Sequence, residues 1–414
     1  MRIAIANWNR RRIGGIESYL SALIPELSQL GHDVAFYSEF DEPEQRAQIQ
    51  LPENSPAWCA AEIGTEPSLS ALRDWRPDIV YCHKTSNPDL ERRLIDIAPS
   101  VFFAHDHDGT CISGSRTLKF PNIESCHRIF GRQCLLQYFP RRCGGLNPAT
   151  MLKSYRDQSQ RLENMKAYRA ILTHSDYMLD KLQKHGLTGY RAYKNGSRSP
   201  TITSREKNSL ARDQKNRAVT LVFAGRFEYL KGAHLLIDAL PEAQKALGRP
   251  VRAILAGDGR EREALKQRAA RIRNDQIEID FPGWLEEEAL GHLFATCDLL
   301  VVPSLWPEPF GLIGVEAGSL GVPVAAFDVG GIRDWLSDGV NGFLAPSNPP
   351  TSKGLAEAIA KCVVDAGTQA QLQTGALELA ERFSMHNHLA ALLDVFSSVT
   401  GRNFAAAEAT SATA

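Results

Sequence analysis

One segment of the sequence combines two cations with glycines at a spacing that suits phosphate recognition. The segment reads GRFEYLKG and carries Arg226 and Lys231, directly after an apolar run. A guanidinium can bind two phosphate oxygens at once, and an ammonium adds a mobile point charge, so this pair suits a diphosphate. Taken alone, the segment could equally be a charged surface loop.

A second segment, EPFGLIGVE, carries Glu308 and Glu316 around a predicted helix start. Phe310, Gly311 and Leu312 would open that helix with free backbone N–H groups, which favour an anion. On one helix the two glutamates would differ by about 12 Å in height, whereas paired glycosidase carboxylates lie roughly 5–9.5 Å apart. They are therefore predicted to hold different parts of one elongated ligand. The alternative is a helix with a solvated glutamate at each end.

Two further features follow predicted strands in the first half of the chain. Gly14 and Gly15 precede a helical pattern, so that helix N-terminus could approach an anion, with a plain tight turn as the alternative. The run HDHD begins at His105, where its position at a strand end suggests contact with a reacting centre. Alternate extended residues point to opposite faces, so this run is a poor chelator. No G-x-G-x-x-G follows the first strand, which leaves a dinucleotide cofactor unsupported.

The elements that must position these residues are apolar strands alternating with helical patterns. Such an alternation predicts parallel sheets covered on both faces, with ligands at the carboxyl ends of the strands. The sequence therefore predicts an α/β fold with two Rossmann-like parallel-sheet domains facing a cleft. The predicted strands are 2–6, 34–37, 78–81, 101–104, 170–173, 219–224, 252–256, 277–281, 299–302 and 322–326.

Composition shifts along the chain predict the domain boundaries. The first domain is expected at 1–196, followed by a polar linker at 197–217 and a second domain at 218–385. A helix at 386–400 is expected to pack back toward the first domain. The tail 401–414 has little to bury and is expected to be disordered.

The overall composition is that of an ordinary globular protein. The chain has 414 residues, 43% hydrophobic residues and a formal net charge of −1, which excludes collagen-like and low-complexity classes. No uncharged apolar run reaches the ~18–20 residues of a membrane helix, and the start lacks a secretory h-region. We expect a protein that is either free in the cytoplasm or peripheral on the cytoplasmic face of a membrane.

The charge is unevenly distributed. Residues 116–194 hold 15 basic and 5 acidic side chains, which favours an anionic substrate or membrane surface, with a solvated face as the alternative. No nucleic-acid motif accompanies this charge, so nucleic acid is not an expected partner. Basic and apolar side chains interleave within the stretch and could meet a lipid surface or a lipid-diphosphate acceptor, or pack internally. They are Arg128, Arg132, Arg141, Arg142, Leu135, Leu136, Tyr138 and Phe139.

Half of the eight cysteines fall in a Cys/Arg-rich insertion at about 109–150: Cys111, Cys126, Cys134 and Cys143. Their spacing lacks the tight C-x-x-C pairs of common zinc sites. No metal is expected at the catalytic centre. Free thiols are the main interpretation of these four residues, and a structural zinc site is the alternative.

The order and spacing of these segments resemble the retaining glycosyltransferases of family 4, which have the GT-B fold. The resemblance covers about residues 1–400 and is strongest in the GRxxxxKG and EPFGxxxxE patterns. Where the family has Gly-Gly-x-x-Glu, this chain ends the pattern with Asp334, which leaves that contact open. Supporting segments are Gly14-Gly15, His105, Asn195-Gly196, Gly257-Asp258-Gly259, Gly330-Gly331 and Asn341-Gly342-Phe343.

The resemblance implies the roles of the second-domain residues. Arg226 and Lys231 would hold the diphosphate of a nucleotide-diphosphate sugar and stabilise it as it leaves. Glu316 would accept hydrogen bonds from the ribose. Glu308 would bind hydroxyls of the donor sugar, with the N–H groups of Phe310, Gly311 and Leu312 nearby.

Further roles implied by the resemblance fall in both halves. Gly14 and Gly15 would give backbone contacts to the distal phosphate, and His105 would sit near the transferred carbon. The base would lie near Gly283 and Trp284. The family needs no metal cofactor, since cations and helix N-termini can stabilise the leaving charge.

The resemblance also implies a reaction. A hexosyl unit would pass from a donor such as a UDP-sugar or GDP-mannose to a glycan, lipid-linked or other hydroxyl acceptor bound by the first domain. No convincing covalent nucleophile is evident, so same-face attack by the acceptor is expected. Cell-surface polysaccharide or glycolipid synthesis is the expected context. The alternatives are a nucleotide-sugar epimerase of the same fold and a catalytically silent nucleotide-sugar-binding scaffold.

Overall fold

The computed structural model describes residues 1–187 and 217–402, and these form two compact units. Within the described residues, the first unit contains 1–114, 128–187 and 384–402, and the second contains 115–127 and 217–383. The predicted linker, apart from Arg217, lies outside the described residues. So do Asn195-Gly196 and the predicted tail beyond Arg402.

The first unit is built on a six-stranded parallel sheet in the order β3-β2-β1-β4-β5-β8. The central strands are fully buried because helices cover both faces, which is why their sequences are continuous apolar runs. The strands are β1 (Arg2–Asn9), β2 (Asp33–Phe40), β3 (Ala57–Cys59), β4 (Ile79–Cys82), β5 (Ser100–Ala104) and β8 (Ala170–Thr173).

Three helices of the first unit begin after a residue whose side chain satisfies a free N–H group. Asn87, Asn147 and Ser175 each accept a bond from the first turn of the helix that follows. The helices are α1 (Gly15–Gln29), α2 (Ala60–Ile63), α3 (Thr65–Asp74), α4 (Pro88–Ile95), α5 (Gln133–Tyr138), α6 (Pro148–Met165) and α7 (Asp176–Lys184).

The second unit has its own six-stranded parallel sheet, in the order β11-β10-β9-β12-β13-β14. Its strands are β9 (Val219–Ala224), β10 (Val251–Ala256), β11 (Ile277–Gly283), β12 (Leu299–Val302), β13 (Val324–Phe327) and β14 (Gly342–Ala345). Its helices are α8 (Ala233–Leu247), α9 (Arg262–Ala270), α10 (Glu287–Thr296), α11 (Leu312–Ser319), α12 (Ser352–Cys362) and α13 (Ala366–Glu381). Two parallel-sheet α/β domains were predicted, and the structure confirms them.

Two segments belong to a different unit from the residues that precede them in the sequence. Helix α14 (Met385–Thr400) belongs to the first unit, where Leu392 and Phe396 are buried in the core formed around β1 and α1. The hairpin of β6 (Thr117–Leu118) and β7 (Glu124–Ser125) belongs to the second unit, where Ile123 packs on the core. The expected insertion at 109–150 is therefore divided between the two units.

Each sheet has one point where its strand order reverses, between β1 and β4 in the first unit and between β9 and β12 in the second. The loops that follow these strands diverge to opposite faces and leave a crevice at the carboxyl edge, where ligands of such folds bind. None of the helices in the two described ranges is long and apolar enough to span a bilayer.

Candidate active site

The loop after β9 presents both predicted phosphate-binding cations. Arg226 is exposed and has no ion-pair partner among the described residues. Lys231 ends a 3₁₀ turn, Tyr229–Lys231, and Gly232 follows with φ +73°. A Cβ on Gly232 would lie 1.7 Å from the Pro303 carbonyl oxygen, so only glycine lets this loop lie against the chain leaving β12.

Lys231 and Glu308 form a largely buried ion pair. The Lys231 Nζ lies 2.6 Å from Glu308 Oε1, and Ser304 Oγ donates to the same oxygen at 2.5 Å. The Trp306 ring lies under the ammonium, 5.1 Å from Nζ to the ring centroid. Burial acts to raise the pKa of Glu308, but Lys231 and these hydrogen bonds outweigh it and hold that pKa below its usual value.

Glu308 lies in a loop and not on the helix that carries Glu316. Helix α11 begins at Leu312, within the predicted helix start, so Glu308 precedes the helix and the height difference for one shared helix does not apply. The Gly331 N–H donates to the Glu308 carbonyl at 2.7 Å, and a Cβ on Gly330 would lie 2.2 Å from the same oxygen. Pro309 disfavours a helical conformation at Glu308, and Gly311 has φ +89°, so the loop stays outside the helix and packs against this turn. The alternative of a solvated glutamate is wrong for Glu308, which is buried and paired.

The start of α11 is fixed by a buried tryptophan. Gly311 precedes the helix with φ +89°, and Trp335 Nε1 donates to the Phe310 carbonyl at 2.5 Å. A Cβ on Gly314 would lie 2.1 Å from the Trp335 ring, so the ring packs directly on the helix backbone. The first N–H groups of α11 therefore have a rigid position from which to face an anion.

Glu316 projects from α11 in a half-buried position. Burial and the nearby charge of Glu287 raise the pKa of its carboxyl to about 7. Such a side chain can either accept or donate a hydrogen bond near neutral pH. This property suits a contact with hydroxyl groups.

The predicted base-binding residues lie at the end of β11. Gly283 has φ +87°, and its carbonyl accepts a bond from the Gly257 N–H at 2.7 Å. Trp284 follows it and is half-buried. Asp334, the shorter carboxylate noted in the sequence, ends the 3₁₀ turn Gly330–Asp334 and is also half-buried.

In the first unit, Gly14 and Gly15 open α1 as predicted, but not through a tight turn. Gly14 is extended, with φ −166°, a conformation open to any residue. A Cβ on Gly15 would meet no described atom within 4 Å, so its backbone faces open space. The buried Glu17 in the first turn accepts from Asn7 Nδ2 at 2.9 Å, and burial raises the pKa of Glu17.

His105 is the centre of a chain of three histidines. Its Nε2 lies 2.8 Å from His83 Nδ1, and its Nδ1 lies 2.9 Å from His174 Nε2. Burial lowers the pKa of all three imidazoles well below the usual value, and the charge each would carry beside the others adds to this. A neutral imidazole has one N–H, so His105 donates to one neighbour and accepts from the other.

His83, His174, Ser304 and Trp306 also lie in these sites, and the sequence patterns above do not identify them. His83 and His174 each follow a strand that the apolar pattern predicts, β4 and β8. A polar residue directly after such a strand is the signal that could have found them, since parallel strand ends meet at one edge. Ser304 and Trp306 carry no comparable signal, because their roles depend on Glu308 lying in a loop.

The four cysteines of the predicted insertion do not assemble a zinc site. None of the four forms a disulfide, and no group of three or more His, Cys, Asp or Glu side chains in residues 1–187 and 217–402 could hold a metal. The structural zinc alternative for Cys111, Cys126, Cys134 and Cys143 is therefore not supported.

Comparisons with known proteins match both halves of the chain. Residues 13–192 match the family model described as Glycosyltransferase Family 4, and residues 204–378 match the model described as Glycosyl transferases group 1. The D-inositol 3-phosphate glycosyltransferase of Xylanimonas cellulosilytica is 34% identical over 189 residues, which are 44% of this chain and 43% of that relative. The chain thus spans less than half the length of this curated relative.

Other relatives match over most of their length. An uncharacterized glycosyltransferase of Methanocaldococcus jannaschii is 24% identical over 384 residues, 84% of this chain and 86% of that protein. Among solved structures, Anabaena HepE in complex with UDP and glucose has a TM-score of 0.68 at 21% identity, covering 96% of this chain and 100% of that one. The pneumococcal O-GlcNAc transferase GtfA, in complex with UDP and GlcNAc, also has a TM-score of 0.68, at 13% identity and 96% and 99% coverage.

The two family matches together span most of the chain, and the two parallel-sheet domains agree with the GT-B fold of the structural neighbours. The chain therefore belongs to the group 1, family 4 glycosyltransferases.

Proposed function

We propose that this protein is a retaining glycosyltransferase that moves a hexosyl unit from a nucleotide-diphosphate sugar to a hydroxyl acceptor without a metal. The observation that carries the proposal is the carboxyl edge of the second sheet. There the exposed Arg226 and the Lys231–Glu308 pair lie on the loops after β9 and β12, at the reversal of strand order. Family membership and neighbours solved with UDP support the same donor class.

In this proposal the cations bind the diphosphate and the carboxylates bind hydroxyls. Arg226 and Lys231 hold the phosphates, with the N–H groups of Phe310, Gly311 and Leu312 facing the donor. Glu308 orients Lys231 and accepts from the donor sugar. Glu316 accepts from the ribose. These groups offset the charge that grows on the leaving diphosphate.

We also propose ligand contacts for three residues of the first unit and for two further residues of the second. The backbone of Gly14 and Gly15 contacts the distal phosphate, and the base lies by Gly283 and Trp284. His105 lies by the transferred carbon as a neutral ring. The bond from that carbon to the phosphate oxygen breaks as the acceptor oxygen bonds the carbon on the same face. The diphosphate leaves with the electron pair and takes up the proton of the acceptor hydroxyl.

A thermal-shift screen against UDP, GDP, ADP and their sugar conjugates, with EDTA present, tests the donor class. A ligand at 100 times its dissociation constant adds about 2.7 kcal/mol to the free energy of unfolding, which is readily measured. We expect one nucleotide family to raise the melting temperature, and Arg226→Ala to abolish the shift. Arg268→Ala, which removes an exposed arginine paired with Asp238 in the same unit, is the matched control. A shift without sugar transfer to any acceptor would favour a binding scaffold instead.

We further propose that the first unit contacts an anionic membrane through the surface formed by residues 128–156. This stretch carries six Lys and Arg residues and no Asp or Glu. It also presents large exposed apolar side chains that could insert into a bilayer surface. The neighbouring cations would add electrostatic attraction to acidic lipid. The apolar side chains are those of Ile129, Leu136, Leu146 and Leu152, exposed by 49%, 75%, 76% and 57%. A glycolipid or lipid-linked glycan acceptor would be presented at such a surface.

Vesicle sedimentation tests the membrane proposal. We expect binding to vesicles of phosphatidylglycerol and phosphatidylcholine, and little binding to phosphatidylcholine alone. The double variant Leu136→Ser, Leu146→Ser should weaken binding about tenfold, the scale expected from losing two apolar contacts. Leu377→Ser, at a leucine 45% exposed in the second unit, should not. Equal binding of the double variant and the unmodified protein would contradict the proposal.

A further inference from the structure

The ring of His105 is held by a neighbour on each side and by a third on its face. Its Nε2 lies 2.8 Å from His83 Nδ1, and its Nδ1 lies 2.9 Å from His174 Nε2. Phe103 stacks on the same ring, with 4.6 Å between the centroids and 22° between the planes. His83, His174 and Phe103 are all buried. The imidazole therefore cannot rotate or shift without breaking a contact that the first unit makes.

The loops that carry His83 and His105 are joined a second time, at the next residue of each. Lys84 forms an ion pair with Asp106, and the Asp108 N–H donates to Asp106 Oδ1 at 2.9 Å. Burial acts to raise the pKa of Asp106, but Lys84 outweighs it and lowers the pKa to about 2. Asp106 therefore stays ionised at neutral pH and keeps the loops after β4 and β5 together.

The protons of the three rings can be arranged in two ways. All three imidazoles are neutral at neutral pH, because burial lowers the pKa of each well below its usual value. A neutral imidazole has one N–H and one bare nitrogen, and each of the two contacts needs one of each. The bonds therefore run either from His83 through His105 to His174, or in the opposite direction.

The second nitrogen of His83 distinguishes the two directions. His83 is 2% exposed, and its Nε2 is buried without a hydrogen-bond partner among the described residues. If the bonds ran from His174, His83 would carry its proton on Nε2, as a buried N–H with no acceptor. If they run from His83, that nitrogen is a bare acceptor. Orphaned buried N–H groups are rarer in proteins than under-satisfied acceptors, so the direction from His83 is favoured.

We propose that His83 and His174 are positioning residues for sugar transfer, which hold His105 as the tautomer that carries its proton on Nδ1. His105 Nε2 then accepts from His83, and His105 Nδ1 donates to His174. Both ring nitrogens are committed to the protein, so neither can take the proton of the acceptor or donate to the donor sugar. The half-buried ring meets the ligand with a C–H edge, in an orientation that the two bonds fix. The proposal rests on the proposed transferase function, because that function places the transferred carbon beside His105.

Nitrogen NMR of the full chain, labelled with ¹⁵N in its 11 histidines, tests the tautomer. The three rings are assigned by the signals lost in His83→Asn, His105→Asn and His174→Gln. We expect the shift of a protonated nitrogen at His105 Nδ1 and the shift of a bare nitrogen at His105 Nε2. The reverse pair of shifts would overturn the proposal. So would the averaged shifts of two tautomers in exchange.

Turnover of paired variants tests the positioning role. His83→Leu and His174→Leu remove a hydrogen bond, so they should lower kcat by about 10–10²-fold, the scale of a small misplacement at the reacting centre. KM for the donor should change little, because the proposed diphosphate contacts of Arg226 and Lys231 lie in the second unit. His83→Asn places an amide N–H near the former Nδ1, and His174→Gln places an amide oxygen near the former Nε2. Both should recover most of the lost rate.

Release of nucleoside diphosphate from the donor identified by thermal shift, with water or a supplied acceptor, measures kcat. His386→Leu, at an exposed histidine of α14, is the control and should leave kcat unchanged. Normal kcat in a leucine variant, or no recovery in folded His83→Asn and His174→Gln, would overturn the positioning role. If a leucine variant does not fold, the two amide variants and the tautomer still decide. The NMR measurement needs no turnover, so a protein without transferase activity would fail the proposed function while the tautomer is still read.

Discussion

At the residue scale, Lys231 and Glu308 depend on each other. The ammonium offsets the desolvation of a buried carboxylate, and the carboxylate holds the ammonium over Trp306. A substitution at either position therefore has two effects, the loss of one ligand contact and the exposure of an unpaired charge in the other residue. A substitution of Lys231 therefore also changes the charge environment of Glu308, and the reverse holds for Glu308.

Lys231→Ala should lower the rate of sugar transfer by about 10²–10³, the cost of removing one donor that stabilises a leaving charge. It also leaves Glu308 as a buried carboxylate without its cation, which raises the pKa of Glu308. Steady-state turnover with the donor identified by thermal shift measures the effect. Lys266→Ala, which breaks an exposed pair with Glu263, is the control and should leave turnover unchanged. Full turnover by Lys231→Ala would exclude the phosphate role.

Glu316 should make stability depend on pH. Its pKa rises from 4.5 to about 7 on folding, so between these pH values the folded protein keeps a proton that the unfolded chain has lost. Stability therefore falls as pH rises from 4.5 to 7, and the penalty persists above 7. We expect Glu316→Gln to raise the free energy of unfolding by about 1–2 kcal/mol at pH 8, allowing for partial exposure, and by little at pH 4.5. Urea titrations at both pH values measure this, and an equal effect at both would contradict it.

At the element scale, glycines let the loops after β9 and β12 lie against each other. The Leu305 N–H donates to the Leu230 carbonyl at 2.8 Å, and a Cβ on Gly232 would lie 1.7 Å from the Pro303 carbonyl oxygen. The two loops therefore behave as one piece. A clash at Gly232 should disturb both the Lys231 loop and the Glu308 loop.

Gly232→Ala should abolish nucleotide binding and lower stability by several kcal/mol, because its Cβ would overlap the Pro303 carbonyl. Gly248→Ala is a closely matched control. Gly248 also has a positive φ, of +64°, but a Cβ there meets no described atom within 4 Å. The control should cost only about 1–2 kcal/mol of left-handed strain and keep nucleotide binding. Equal losses in the two variants would show that the clash has no part in shaping the site.

At the scale of the whole molecule, the chain returns to its first unit at the end. Helix α14 buries Leu392 and Phe396 there, and His388 Nε2 lies 2.8 Å from the Tyr19 hydroxyl. Tyr19 also lies 2.9 Å from the Tyr81 hydroxyl, in a buried network. The stability of the first unit therefore depends on residues almost 400 positions from its first strand.

Phe396→Ala should destabilise the first unit by about 3–5 kcal/mol, the usual cost of truncating a buried phenylalanine. Hydrogen exchange of the full chain should show faster exchange in β1, β4 and β5, with β9, β10 and β12 unchanged. Leu377→Ala, at a partly exposed leucine of α13, should leave both sheets as they were. Equal acceleration in both sheets would contradict this assignment of α14.

Local patterns predicted the features that depend on neighbouring residues. Most predicted strands lie within a residue or two of the observed ones. The edge strand β3, the 18-residue helix α6 and the small hairpin were not predicted. β3 and the hairpin strands are too short to show a period, and α6 is largely polar, so no apolar stripe marks it.

The sequence by itself determined the succession of buried strands and helices, the α/β class and the cations and carboxylates available to the site, because apolar period and residue type are local properties. Only the tertiary structure decided how those side chains meet. Glu308 is buried against Lys231 because the loops after β9 and β12 lie side by side. The pKa of His105 is lowered because the ring is buried and because β4 brings His83 against one of its nitrogens. Such contacts join residues far apart in the chain, and the order of strands in a sheet, which no local pattern encodes, brings them together.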